Sequence, residues 1–301
     1  MTEDGQADWM QQEERSHALA LRLMVWLSLT FGRRVGRVVL HGIAAYFVLF
    51  APSARRASRQ YLERALGRPA GWLDGYRHVL SFASTIHDRI YLLNDRFGDF
   101  DIQVHGVEAV QQSLEGGEGV LLIGAHMGSF EALRAVGWGA GGMKVAMLMY
   151  KENARKINAS LAAINPKAMQ DIIALGRVES MLEVRDKLQQ GYLVGMLADR
   201  TLGDDATELM PFLGHPAPFP VGPWRLAAML RRPVFFMTGL YQGGNRYELH
   251  FEPLADFSTV GRAERADAVE QAMARYVGCL ERHCQRHPYN WFNFFNFWRT
   301  K

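Results

Sequence analysis

Apolar positions along the chain fall into short blocks separated by stretches of helical period, with glycine or proline at many of the joins. The blocks at 120–123, 145–150, 172–175, 192–198 and 234–240 are too short for helices and predict buried strands. Residues 100–104 and 247–252 predict two more, the latter joined to 234–240 through Gly243-Gly244-Asn245. Helical spacing predicts helices over 107–114, 154–164, 178–190, 223–230 and 265–286, and a mixed-polarity helical stretch over 57–95. Strands alternating with helices predict an α/β fold, a mainly parallel central sheet flanked by helices. Residues 211–222, with Pro211, Pro216, Pro218 and Pro220, read as an irregular loop able to line a pocket.

The N-terminal pattern differs. Residues 1–15 are polar and predict a mobile terminus without the basic start and cleavage site of a secretory signal. Two apolar stretches follow, 23–31 and 38–54, bracketed by Arg22, Arg33-Arg34, Arg37 and Arg55-Arg56. The second is at the short limit for a span, and its basic residues at both ends disagree with the positive-inside rule. Residues 16–56 therefore predict an apolar helical membrane-attachment region, dipping into one leaflet or lying on anionic lipid. Helices packed in the protein core are the alternative. Residues 57–301 would form the α/β domain.

Composition narrows the function classes. Of 301 residues, 49% are hydrophobic, enough for a sizeable core, and a formal charge of +3 is too mild to suggest nucleic-acid binding. Cys279 and Cys284 provide no disulfide framework. With His283 and His287 they lie on one polar helical stretch, read as a solvated helix face rather than a metal site.

Candidate chemistry centres on the string Gly124-Ala-His126-Met-Gly128-Ser-Phe-Glu131. The strand 120–123 leads into His126, and Gly128-Ser129 predict a turn and helix start with Glu131 in its first turn. Residues five apart on one helix do not share a face, but across a strand, turn and helix start the two side chains can converge. A carboxylate on Nδ1 would then fix the imidazole tautomer and leave Nε2 as a base. A buried histidine bonded in a turn is the other reading. Lys151 and Asp199-Arg200 follow two further strands, and in a parallel sheet all would reach one edge with His126. Arg200 could bind a phosphate or carboxylate or polarise a carbonyl, with Asp199 holding it, or the two could form a structural ion pair.

This string, followed by Ala198-Asp199-Arg200 and Pro211-Phe212-Leu-Gly214, resembles the late acyltransferases of lipid A biosynthesis and their lysophospholipid-acyltransferase relatives. The resemblance implies an O-acyltransferase of the His-x4-Glu type. An acyl thioester, on acyl carrier protein or coenzyme A, would meet a hydroxyl of a lipid or glycolipid, with no metal or other cofactor. It implies His126 as base, Glu131 as its partner, and Asp199, Arg200, Phe212 and Gly214 around the substrates; strand topology adds Lys151 and Gly128 to that set, with N–H groups near Gly128 assisting Arg200 at the oxyanion. It also implies the cytoplasmic face of the inner membrane. The lipid A enzymes commonly carry Pro-Asp-x-Asp where this chain has Leu197-Ala-Asp199-Arg200-Thr201, which looks more like relatives acylating other glycolipids such as mannosides, or accompanying bacterial polyene lipids. A hydrolase using the same pair on water and a non-catalytic membrane adaptor are the rival classes.

Overall fold

The computed structural model describes residues 26, 28, 30, 32–133, 142–150, 164, 171–176, 178–200 and 206–298. Among them a seven-stranded sheet is ordered β1 (Asp101–His105), β9 (Arg246–Asp256), β8 (Pro233–Tyr241), β2 (Val120–Gly128), β5 (Leu193–Leu197), β3 (Val145–Tyr150), β4 (Asp171–Leu175). Every pairing is parallel except the hairpin of β8 with β9. The predicted mainly parallel α/β sheet is therefore present. The predicted helix over 154–164 lies outside the described residues, apart from helical Ile164.

Alternation along the central strands supplies both faces of the core. Leu121 and Ile123 join Val194, Phe236, Trp224 and Tyr276 on one side. Val120 and Leu122 join Leu193, Phe235, Val110 and Tyr91 on the other. A central strand covered on both faces reads as an unbroken apolar run, which is why 120–123 was legible as a strand.

Helices α1 (Gly32–Phe50) and α2 (Pro52–Leu66) meet at a 96° bend. Proline at the start of α2 fits there because the first helical N–H has no intrahelical acceptor. The chain turns at Gly67, a left-handed cap, into α3 (Trp72–Leu92). Among the described residues no single helix is long and apolar enough to cross a membrane; the bent pair passes by length and composition only. α1 begins at Gly32, whose left-handed φ of 79° marks the join just ahead of Arg33-Arg34, and it carries both arginines, but Arg33 is not an exposed flanking cation. Arg33 instead reaches inward and grips both oxygens of buried Asp88 on α3, each at 2.7 Å. Asp88 also accepts the Tyr247 hydroxyl at 2.9 Å. Gly36 lets α1 approach α3 closely, since a Cβ there would stand 2.2 Å from the His87 ring.

Residues 211–222 correct the expectation of an irregular loop. β6 (Thr207–Phe212) and β7 (His215–Pro220) form an antiparallel hairpin around Leu213-Gly214, both at positive φ. Positive φ at both turn residues is the twist a two-residue hairpin needs. Its flanking pair, Phe212 with His215, is the hydrogen-bonding kind, so alternate pairs outward are not. Pro211, Pro216, Pro218 and Pro220 all occupy those non-bonding pairs, where the missing N–H costs nothing. Helix α6 (Gly222–Leu230) follows, and α4 (Val107–Leu114) and α5 (Val178–Gln189) connect earlier strands.

The last helix, α7 (Arg265–Arg286), corrects a second expectation. Cys279, His283 and Cys284 are buried rather than solvated, both thiols free. β9 presents Glu252 to this helix, where it binds His283 at 2.7 Å and Arg282. The stretch called polar thus has a partner carboxylate on the sheet, which pattern alone does not reveal.

Candidate active site

β2 extends beyond its predicted end, through His126 to Gly128, with a register shift against β8 between Gly124 and Gly128. β5 lies directly beside it, and the chain leaves β5 into Asp199. Adjacent parallel strands thus deliver His126 and Asp199 to one sheet edge, the edge where open α/β sheets bind ligands. Nδ1–H of His126 donates to Asp199 Oδ1 at 2.8 Å, and the backbone N–H of His126 donates to Oδ2 at 3.0 Å. A carboxylate only accepts, so this pairing places the neutral imidazole's proton on Nδ1. Asp199 is buried, which pushes its carboxyl up, but the attraction and hydrogen bond of His126, the charge of Arg200 and the Trp291 indole outweigh burial and hold it at about 2.

Glu131 takes a different partner. Its Oε1 lies 2.7 Å from Arg89 Nε on α3, and its Oε2 accepts the Ser129 hydroxyl at 3.2 Å. The carboxylate on the His126 ring is therefore Asp199, not Glu131. The cause is topological: Asp199 comes from the neighbouring strand at matching height, while Glu131 sits in a short 3-10 turn, Glu131–Leu133, that faces α3.

The C-terminal aromatic stretch closes the site. Trp291 Nε1 donates to Asp199 Oδ2 at 2.9 Å. Phe292 N–H donates to the His126 carbonyl at 2.9 Å, and Gly128 N–H to the Asn290 carbonyl at 2.9 Å. The N–H of Ser129 goes to the Gly239 carbonyl at 2.7 Å. The backbone donors of His126, Gly128 and Ser129 are thus engaged, which removes them as the expected aid to an oxyanion. Gly128 has φ +66, and a Cβ there would meet the Gly239 carbonyl at 1.9 Å, so close strand approach requires the glycine.

Behind Trp291 stands His78, fully buried, whose Nε2–H donates to the Trp291 carbonyl at 2.8 Å. Its Nδ1 then accepts the Ser58 hydroxyl at 2.7 Å. Burial lowers this imidazole to about 4, against the opposing pull of the Trp291 carbonyl. The unfolded chain titrates near 6.5, so it takes up the proton first, and stability is lost as pH falls from about 6.5 towards 4. His78 alone accounts for about 3 kcal/mol across that window. Urea unfolding at pH 7 and pH 4.5 should show the loss, and His78→Gln should shrink the difference between the two curves. An unchanged difference in the variant would assign the acid sensitivity elsewhere.

His126, Glu131, Gly128 and Arg200 all line one cavity of about 360 Å³, with Arg89, Phe82, Ile86, Phe292, Phe294 and Phe295. Arg200 donates to the Phe292 carbonyl at 3.0 Å and lies over the Phe295 ring. Asp199 spends its oxygens on His126 and Trp291 instead of holding Arg200. Phe212 and Gly214 do not border this cavity: Phe212 packs among Phe219, Trp291, Phe297 and Trp298, and Gly214 is a hairpin-turn residue. Lys151 lies outside the described residues.

Sequence reasoning missed Arg89, Trp291 and Asn290. Arg89 carried a faint signal, being the cation that ends the apolar face Phe82, Ile86 of one helix. Trp291 offered none, because an indole in an aromatic run looks like packing. Among curated proteins the chain finds no significant match. The family model for bacterial lipid A biosynthesis acyltransferases matches residues 16–300. A match over nearly the whole chain, on a sheet edge that carries the His126 string, places this protein in the bacterial lipid A biosynthesis acyltransferase family.

Proposed function

We propose that the protein moves a fatty acyl group from an acyl thioester, on acyl carrier protein or coenzyme A, to a hydroxyl of a lipid or glycolipid. The observation that carries this reading is the His126–Asp199 pair at 2.8 Å on the wall of an aromatic-lined cavity. With Nδ1 protonated and engaged, Nε2 is the nitrogen that receives the acceptor's hydroxyl proton. The acceptor oxygen attacks the thioester carbon, giving a tetrahedral oxyanion. Arg200 is the cation that stabilises it. Collapse breaks the C–S bond, the imidazolium returns its proton to the thiolate, and ester and free thiol leave. Asp199 stabilises the imidazolium between the two steps. The Ala-Asp-Arg string in place of Pro-Asp-x-Asp weighs towards a glycolipid acceptor other than a lipid A precursor.

The same reading puts the protein on the cytosolic face of the inner membrane, where acyl thioesters are made. α1 turns Leu40, Ala44 and Val48 inward and leaves Val38 at 71% and Phe50 at 68% exposed, and at the bend Arg55 lies over the ring of Trp72, which is exposed as well. An apolar face rimmed by arginine suits the interface of an anionic leaflet. Purified full-length protein, labelled acyl thioester and a membrane-lipid extract should yield labelled lipid ester, and the protein should pellet with anionic vesicles. Free labelled fatty acid as the main product would make it a hydrolase. No consumption of either thioester would leave the adaptor reading.

A further inference from the structure

We infer that Glu131 acts through Arg89 rather than through His126, and that Arg89 is the cation receiving the oxygen-bearing end of a fatty substrate. This deepens the acyl-transfer reading and rests on it.

The geometry divides the carboxylates of the site. Asp199 already holds the Nδ1–H of His126 and its backbone N–H. Glu131 meets only Arg89 and Ser129 among its described contacts. The side chains of Arg89 and Glu131 are 27% and 10% exposed, and both line the cavity that contains His126. The Nε–Oε1 contact of 2.7 Å is ionic, because the N–H does not point along it. Glu131 thereby fixes the Nε side of a planar fork, and the Nη side is the one that can take two oxygens of a ligand.

The helix that carries Arg89 indicates the ligand class. Phe82, Ile86 and Arg89 of α3 line the catalytic cavity. Val79, Phe82, Ala83 and Ile86 of the same helix line a second cavity of about 400 Å³, walled almost wholly by apolar side chains and reaching α1. The two cavities share Phe82, Ile86 and Phe294. One face of α3 is therefore an apolar track that ends in a guanidinium beside the base. Hydrocarbon along Phe82 and Ile86 with ester, thioester or headgroup oxygens at Arg89 matches that order of surfaces. The donor's acyl end and the acceptor's lipid head both present this chemistry.

The test uses the purified full-length enzyme. Glu131→Gln and Arg89→Gln should each raise one KM by roughly tenfold to a hundredfold, the worth of a charge-assisted hydrogen bond. Arg89→Lys should recover part of it, and the double variant should be no worse than the worse single. The acid limb of the kcat/KM pH profile should stay in place. A raised KM for the thioester assigns Arg89 to the donor, and a raised KM for the lipid assigns it to the acceptor. A shifted acid limb in Glu131→Gln, a fall in kcat at unchanged KM, or additive losses would each overturn the inference. A wild-type enzyme without transferase activity would instead count against the acyl-transfer reading. The pairing is then read from binding of a non-hydrolysable long-chain 2-oxoalkyl thioether of pantetheine, which keeps a carbonyl oxygen, and of the dispersed lipid extract. Weaker binding of either by both glutamine variants, at unchanged melting temperature, supports the inference. Unchanged binding of both overturns it.

Discussion

His126→Ala is expected to remove acyl transfer by at least about a thousandfold, the upper range for a general base in the reacting step. Among the described residues no other histidine lines the cavity, so no neighbouring imidazole can replace it. The loss should fall on kcat, because the proton leaves the hydroxyl only as the new bond forms. Folding should survive. Asp199 keeps the backbone N–H of residue 126 and the Trp291 indole, and the 36% exposure of the His126 side chain lets water reach the vacated oxygen. The measurements are single-turnover kinetics and a melting curve. Turnover within tenfold of wild type would remove His126 from the chemistry.

How far the sequence could go depended on whether a pattern was local. Strand β2 was legible because four apolar residues between glycines serve both faces of a sheet. Its continuation through His126 was not, because Gly124 and Gly128 look like breaks. They are instead places where a neighbouring backbone comes too near for a Cβ. The proline-rich hairpin was misread for a related reason. Proline counts against strands in general, but not at alternate positions of a free two-stranded ribbon. That His126, Asp199 and Arg200 share an edge followed from parallel strands alone. Which carboxylate reaches Nδ1 did not follow, because it depends on the order of strands. β5 pairs with β2 although long stretches of chain separate them, and a motif spacing within one stretch cannot report a partner from another. The closing role of residues 290–292 was equally hidden, since it rests on backbone bonds to His126 and Gly128.

Asp199→Asn separates that long-range partner from the one the motif suggests. Oδ2 of Asp199 accepts two N–H groups, from the His126 backbone and the Trp291 indole. Oδ1 accepts one, from the imidazole. An asparagine has one oxygen, and keeping two bonds favours placing it at the Oδ2 position. Its NH2 then faces Nδ1, which must become an acceptor. The imidazole proton moves to Nε2, and the nitrogen that should take the hydroxyl proton already carries one. A tautomer reversed in this way has been worth about ten-thousandfold in kcat in hydrolases built on a His–Asp pair, with geometry intact. The same order of loss is expected here, whereas Glu131→Gln is expected to act on KM. Stability offers an independent reading. The carboxyl is held at about 2, below the ordinary aspartate value near 3.9. Its ionic contribution to stability is thus fully present above that value and is lost as pH falls through about 2. Wild type and Asp199→Asn should accordingly differ in melting temperature by more at pH 5 than in stronger acid, the gap narrowing as pH falls towards about 2. An asparagine variant that keeps kcat within tenfold of wild type would return the role of partner to another group.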